Sequence, residues 1–245
     1  MVQFKVNEIK QFVTDLKDPD KLLRGCKKFF EIEPRDIIYL VSRKLILENP
    51  ESNYHIMAGI KVLLLTWNAV YLQRQPEKVK RSLEDDILKA YRKSKDDFDY
   101  LAEERLETVD LRDPDISGKI KNIFQIFRRF RSIETTGASK AIHLINPVLF
   151  MMWDYEIKTN YHRIHPFFRY KAETPAECYF QFMNNMQEVA RAILTQKPID
   201  EIWKKHPIHI KDPEVIKIFS EAAMKSLPKM LDECNYVKFR RGLDY

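Results

Sequence analysis

Glycine is scarce in this chain, and its scarcity limits the folds that the chain can adopt. Five glycines are scattered over 245 residues, against a usual share of about 7%. Neither a P-loop nor a dinucleotide-binding loop can be written from them, because both motifs need clustered glycines. Tight hairpin turns, which also rely on glycine, must be few. The composition therefore excludes most nucleotide-binding α/β enzymes and favours helices.

Apolar residues recur at helical spacing through most of the sequence. Residues 53–73 form the most apolar segment and are expected to be the central core helix. No convincing run of alternating apolar and polar residues suggests a strand. We therefore predict an all-α fold. The predicted helices cover residues 6–16, 19–31, 34–49, 53–73, 76–101, 116–133, 155–162, 176–195, 198–205 and 212–232.

The segment 103–116 interrupts this helical pattern. It ends at Asp113-Pro114, and proline is poorly tolerated inside a continuous helix. We predict one helical domain over residues 1–245, with a boundary between two helical lobes near residues 103–116.

Cysteine and histidine spacing gives no sign of a metal centre. Cys26, Cys178 and Cys234 are far apart, and none has a cysteine or histidine partner at metal-binding spacing. The histidine pairs at 162 and 165 and at 206 and 209 lack the glutamate of a metalloprotease motif. We expect no disulfide framework, no metal site and no cofactor.

The chain also carries no targeting or membrane signal. Its first ten residues are charged and include no apolar secretory region. The most apolar window, residues 56–67, contains Lys61 and is too short to span a bilayer. We expect a soluble, cytoplasmic protein that does not contact membranes.

Charge is distributed unevenly along the chain, although the net charge is only +6. Residues 117–171 hold ten lysines and arginines against three carboxylates, a net of +7. Residues 96–115 hold nine carboxylates and two arginines, a net of −7. A basic segment on a near-neutral body is typical of a polyanion-binding face, and we expect nucleic acid, DNA in particular, as the partner. The alternative is that the two segments neutralise each other within the fold.

Residues 133–154 combine a turn, a lysine, a histidine and a carboxylate. Thr136 or Ser139 is expected to cap a helix over 139–145, and the spacing places Lys140 and His143 together on its more exposed side. Asn146-Pro147 is expected to end that helix and to begin another, which holds the apolar residues 148–152. Asp154 is well placed to cap a third helix at Tyr155.

This stretch resembles known proteins. The residues that carry the likeness are Ser139, Lys140, His143, Pro147, Phe150, Trp153 and Asp154. Their pattern resembles one found in uncharacterised helical prokaryotic proteins. More distantly, residues 117–165 resemble the helix-hairpin-helix DNA glycosylases, DNA-repair hydrolases in which a glycine-containing hairpin precedes a catalytic lysine and a later aspartate. The chain departs from that family in having one hairpin glycine and a lysine–aspartate spacing of 14 residues.

The resemblance implies a base-excision site. Gly137 would belong to the hairpin, Lys140 would be the amine nucleophile and Asp154 the carboxylate. Such an amine attacks sugar C1′ of a nucleotide whose base has been flipped from the duplex, and it forms a Schiff base. The residues expected at the substrate are Arg128, Arg129, Arg131, Gly137, Ser139, His143, Trp153 and Tyr155.

Simpler roles for the same residues remain open. Asp154 can be only a helix cap, Lys140 a solvated lysine and His143 a packed core histidine. The protein would then be a non-catalytic module that binds nucleic acid or protein through the basic 117–171 face. A third hypothesis is an interaction scaffold in which the carboxylates of 96–115 lie against Arg128–Arg131. The enzyme hypothesis requires Lys140 and Asp154 to face one pocket.

Overall fold

The computed structural model describes residues 4–164, 174–207 and 226–245 of the chain. Within these ranges it contains thirteen α-helices, one π-helical segment and no strand, so the all-α prediction is confirmed. None of the described helices is both long enough and apolar enough to cross a membrane. The α-helices are α1 Val6–Asp15, α2 Pro19–Ile32, α3 Asp36–Glu48, α4 Asn53–Trp67, α5 Ala69–Gln73, α6 Glu77–Arg81, α7 Leu83–Tyr100, α8 Pro114–Arg128, α9 Glu134–Ile145, α10 Tyr155–Ile164, α11 Pro175–Leu194, α12 Ile199–Trp203 and α13 Leu227–Asn235, and the π-helix is Tyr236–Arg240.

Short polar residues with a proline one or two positions later begin several helices. Asp18 accepts hydrogen bonds from two backbone N–H groups at the start of α2, and Asp113 does the same for α8. Thr174 caps α11 and Ser226 caps α13 through their hydroxyl groups. Each cap satisfies N–H groups that the first turn of a helix leaves unpaired. The proline that follows lacks one of those N–H groups and already has a helical φ.

Helix α4 lies at the centre of the fold, as its apolar sequence predicts. It packs against α3, α7 and α9. Its residues Ile56, Ile60, Leu63 and Leu64 are buried in the main hydrophobic core. Gly59 allows the close approach of α3, because a Cβ at this position would lie 2.6 Å from the carbonyl oxygen of Ser42.

Two predicted helices are broken in the structure. The segment 53–73 is interrupted at Asn68, whose φ of −123° and ψ of 17° end α4 before α5 begins. The segment 76–101 is interrupted at Ser82, which separates α6 from α7. The Ser82 hydroxyl donates to the Val79 carbonyl at 3.0 Å and lies 2.8 Å from the Asp86 carboxylate. Such local bonds compete with helix continuation.

The connection between α7 and α8 consists of turns. Leu106, Val109 and Leu111 within it are buried in the main core. Gln187 of α11 donates to the carbonyl oxygens of Leu106 and Val109, at 2.7 Å and 2.8 Å. The connection is therefore anchored to α11 by apolar packing and by hydrogen bonds to its backbone. The predicted lobe boundary falls on this segment and stays a prediction.

The C-terminal elements close the fold against its first helices. Helix α13 packs on α2, and the π-helix packs on α10. Phe239 lies edge-on against Phe12 of α1 and Tyr161 of α10. The predicted helix 212–232 falls largely outside the described residues, and only its end coincides with α13. Phe167 and Phe168, two aromatic residues that the sequence offers as further walls for a flipped base, also lie outside them.

Candidate functional site

A cleft of about 560 Å³ brings together the ends of several helices. The end of α4, the first part of α5, the start of α9, the start of α10 and the π-helix contribute to its walls. Lys140 and Asp154 both line it, together with Trp153 and Tyr155. The remaining lining residues are Arg35, Thr66, Trp67, Asn68, Ala69, Val70, Tyr71, Arg74, Gln75, Glu134, Thr135, Thr136, Glu156, Lys158, Tyr236 and Arg240.

The predicted second helix after Asn146-Pro147 is not formed. Residues 147–149 make a turn and residues 150–154 run without helical structure, although residues 147–153 are buried as expected. Side chains from other elements bond the backbone here. Ser139 Oγ accepts from the Trp153 N–H at 3.0 Å, and the Tyr179 hydroxyl donates to the Met151 carbonyl at 2.8 Å. These bonds satisfy buried backbone groups that a helix would otherwise have paired.

His143 is a core residue, so the prediction that it lies on an exposed face is wrong. Its Nδ1 lies 2.6 Å from the Phe150 carbonyl oxygen, which can only accept a hydrogen bond. Nδ1 therefore carries the proton, and Nε2 accepts from the Tyr39 hydroxyl at 3.0 Å. Burial lowers the pKa of His143 to about 3. The side chain positions the segment that leads to Asp154, and neither His143 nor Ser139 lines the cleft.

Lys140 is also buried, with 6% of its surface exposed, contrary to the prediction of an exposed face. Helix α9 is covered by α3, α4 and α8, so the face that carries Lys140 meets protein and the cleft instead of bulk water. Its amine donates to the Trp67 carbonyl oxygen at 2.7 Å. Burial lowers the pKa of Lys140, and the carboxylates of Asp154 and Asp232 oppose that shift.

Asp154 caps α10, as predicted: its Oδ1 accepts from the Ile157 N–H at 3.0 Å. Burial raises the pKa of Asp154, and Lys140 is the main group that opposes the shift. Asp232 of α13 belongs to the same buried charge cluster, and burial raises its pKa to about 7. For Lys140 and Asp154, burial thus outweighs their mutual attraction. Their pKa values are shifted in the directions that favour a neutral amine and a protonated carboxyl.

Aromatic side chains line much of the cleft. Trp153 is fully buried and stacks on Phe182, with ring centroids 6.1 Å apart. The Lys158 amine lies 5.3 Å from the centre of the Trp153 ring. Tyr155, in contrast, is 57% exposed and stands at the cleft mouth. The Trp153 indole nitrogen and the Asn68 amide nitrogen are buried without a hydrogen-bond partner.

Three arginines that line the cleft are not among the site residues predicted from the sequence. Arg35 bonds Glu33 at 2.6 Å and lies 5.0 Å from the centre of the Trp67 ring. Arg240 of the π-helix pairs with Glu156 of α10. Arg74 follows α5. No local motif marks these residues, and all three lie outside the basic 117–171 segment.

The arginines predicted to bind phosphate lie near the turn between α8 and α9, outside the cleft lining. Arg131 is the nearest to the cleft: its Nε donates to Gln75 at 3.0 Å, and its carbonyl accepts from the Tyr71 hydroxyl at 2.7 Å. Arg129 is exposed, and Arg128 is half-buried. The basic segment therefore does not converge as a whole on the cleft.

Gly137 does not belong to the hairpin, in contrast to what the resemblance implies. It lies inside α9, where an added Cβ would sit 3.2 Å from the Asn68 amide nitrogen. The turn between α8 and α9 instead ends at Glu134, whose φ of 60° is unusual for a residue other than glycine. Helix α9 begins at Glu134 without a side-chain cap, so the predicted cap at Thr136 or Ser139 is also wrong.

The acidic segment 96–115 does not lie against Arg128–Arg131 in the described part of the chain. The ion pairs found for its carboxylates are Asp97 with Lys119, Asp99 with Lys95, Glu107 with Arg105 and Asp110 with Arg112. Three of these four are between close neighbours in sequence. The contact that the scaffold hypothesis requires is therefore not observed.

A comparison of the chain with known protein families, curated proteins and solved structures finds no match.

Proposed function

We propose that the protein binds nucleic acid at the cleft and excises a base there, with Lys140 as nucleophile and Asp154 as its carboxylate partner. The observation that carries the proposal is that both residues line the same cleft. The lowered pKa of Lys140 supports it, because a neutral amine is the nucleophilic form. Perturbed titration of a lysine beside a carboxyl group in a cleft is typical of active sites.

The proposed reaction needs no cofactor. The neutral Lys140 amine forms a bond to sugar C1′, while the bond between C1′ and the base breaks and its electron pair leaves with the base. The base gains one proton and the attacking amine loses one, with the Asp154 carboxyl as the group that passes it. Ring opening then breaks the bond between C1′ and the ring oxygen. That oxygen takes up the remaining N–H proton of the lysine nitrogen, which becomes doubly bonded to C1′ as a neutral Schiff base.

The composition of the cleft walls supports a nucleotide as the ligand. Arg35, Arg74 and Arg240 supply positive charge for phosphate, and arginine binds phosphate through paired N–H donors. Trp67 and Tyr155 offer aromatic faces for a base that has left the stack. Arg128, Arg129 and Arg131, beside the cleft, are proposed to contact the flanking backbone.

Borohydride trapping tests the enzymatic proposal. The protein is incubated with duplexes that carry uracil, 8-oxoguanine, an alkylated base or an abasic site, and borohydride reduces any imine to a stable amine. A covalent adduct is expected for the wild type and for Lys89→Gln, an exposed lysine outside the cleft, and no adduct for Lys140→Gln. Loss of the adduct in Lys158→Gln alone would identify the other lysine of the cleft as the nucleophile.

A second candidate is a non-catalytic nucleic-acid-binding module. It is favoured by the structural bonds that Lys140 and Asp154 already make, to the Trp67 carbonyl and to the Ile157 N–H. No adduct, together with salt-sensitive binding to undamaged DNA that Arg240→Gln weakens, would support this module. If the protein forms no adduct and also does not bind DNA, both candidates are contradicted.

A further inference from the structure

A second buried cluster of reactive side chains lies apart from the cleft lining. Cys26 of α2, His206 after α12 and Glu233 of α13 each place one candidate metal-ligand atom within 4.8 Å of the others. All three residues are buried, and His206 is the most exposed at 8%. Within the described part of the chain, the cluster thus joins three segments that are distant in sequence.

The His206 ring is held in place but is incompletely bonded. It stacks on Trp203 with ring centroids 4.9 Å apart, and Phe30 meets it edge-on at 5.2 Å. Its Nε2 lies 2.9 Å from the Glu233 Oε2. Its Nδ1 is buried without a hydrogen-bond partner. Buried polar atoms without a partner are rare, and a bound ion is one recognised explanation.

We propose that Cys26, His206 and Glu233 bind one divalent transition-metal ion of the zinc class, through the Cys26 sulfur, a ring nitrogen of His206 and a carboxylate oxygen of Glu233. Thiolate, imidazole and carboxylate are the side-chain ligands that Zn²⁺ takes in proteins. Two ligands of one tetrahedral zinc ion lie about 3.4 Å apart, so a shift of roughly half an ångström would convert the contact between His206 and Glu233 into joint ligation.

The competing explanation is a buried ion-pair network without metal. The Lys229 amine lies 2.7 Å from Glu233 Oε1 and 2.9 Å from Asp36 Oδ1, so one cation already faces these carboxylates. Ligation would remove the thiol proton of Cys26, because the thiolate is the form that binds metal. The three negative charges of the Cys26 thiolate and of the Asp36 and Glu233 carboxylates would then balance the positive charges of Lys229 and a divalent ion. The buried charge is therefore compatible with metal binding.

A Co²⁺ titration of the full-length protein tests the proposal. The protein is freed of metal with a chelator under reducing conditions, and Co²⁺ then serves as the spectroscopic probe for the zinc site. We expect one equivalent to give the visible bands of tetrahedral cobalt and a thiolate charge-transfer band, and Zn²⁺ to abolish both. Cys26→Ser should lose the charge-transfer band, whereas Cys178→Ser, which alters a cysteine outside the cluster, should retain it.

Two further measurements keep the test decisive if Cys26→Ser fails to fold. The wild type should release at least one proton for each metal bound, because burial raises the pKa of the Cys26 thiol well above its ordinary value. Equimolar Zn²⁺ should also raise the melting temperature of the wild type and of Cys178→Ser. A wild type that gives no charge-transfer band, or a band that disappears in Cys178→Ser, would overturn the proposal.

Discussion

The Lys140 amine donates a 2.7 Å hydrogen bond to the carbonyl oxygen of Trp67, the last residue of α4. The last carbonyl groups of a helix have no partner within the helix, and this bond satisfies one of them. Lys140 therefore joins the central helix α4 to α9 at the wall of the cleft. Its role in stability can be measured separately from any role in chemistry.

Substitution of Lys140 by methionine is expected to destabilise the protein. The bond to Trp67 is lost from a buried site, and a buried carbonyl left without its donor costs about 1–3 kcal/mol. Urea denaturation should show a loss of that size in the free energy of unfolding. The control is Lys158→Met in the same cleft, where the amine lies over the Trp153 ring and the loss should stay below about 1 kcal/mol. Equal losses would contradict a special role for Lys140.

His143 is expected to remain neutral in the folded protein down to acidic pH. Its folded pKa of about 3 lies below the ordinary value of 6.5, since burial disfavours the charged ring. Its contribution to stability is therefore complete above pH 6.5 and is lost as the pH falls towards 3. In that window each pH unit removes up to about 1.4 kcal/mol.

Two measurements check this behaviour of His143. Its imidazole resonances in NMR spectra of the folded protein should not titrate around pH 6.5, whereas in urea they should. The stability advantage of the wild type over His143→Asn should also shrink on acidification below pH 6.5, because the asparagine keeps an N–H donor for Phe150 but does not titrate. A difference that is constant with pH would refute the assignment.

Asp232 is expected to lower stability at alkaline pH. Burial raises its folded pKa from 3.8 to about 7, so its contribution is most favourable below pH 3.8 and is lost as the pH rises through 7. The shift corresponds to roughly 4 kcal/mol as an upper bound. Asp232→Asn should therefore be more stable than the wild type above pH 7, and thermal unfolding should show the gain disappearing near pH 4. An Asp154→Ala variant, which also removes the cap of α10, should gain less.

Helix positions in this chain follow from local sequence, but the shape of the cleft does not. Asp18-Pro19 and Asp113-Pro114 mark the starts of α2 and α8, because their capping chemistry is contained in neighbouring residues. The non-helical segment 150–154 depends instead on Ser139, His143 and Tyr179, whose side chains bond its backbone from other elements. No periodicity within the segment contains that information.

The prediction that Lys140 and His143 are exposed is wrong for a related reason. Helical periodicity identifies an exposed face only when one side of a helix meets solvent. Helix α9 contacts α3, α4 and α8, and the segment after it covers a further side, so even its polar residues are buried. Lys140 and Asp154, which lie 14 residues apart in sequence, both line the cleft, whereas Arg35 and Arg240 reach it from distant parts of the chain through tertiary packing alone.

Two glycine-to-alanine substitutions are expected to have opposite effects on stability, because only one of the glycines lies at the contact between α3 and α4. In Gly59→Ala the new Cβ would lie 2.6 Å from the Ser42 carbonyl oxygen, so the helices must separate, and overpacking of this kind costs about 1–3 kcal/mol. Gly118 lies within α8 with nothing inside 4 Å of an added Cβ, so Gly118→Ala should gain about 0.5–1 kcal/mol from helix propensity. Denaturation of both variants in urea measures the contrast. Gains at both positions would mean that α3 and α4 do not pack as closely as Gly59 implies.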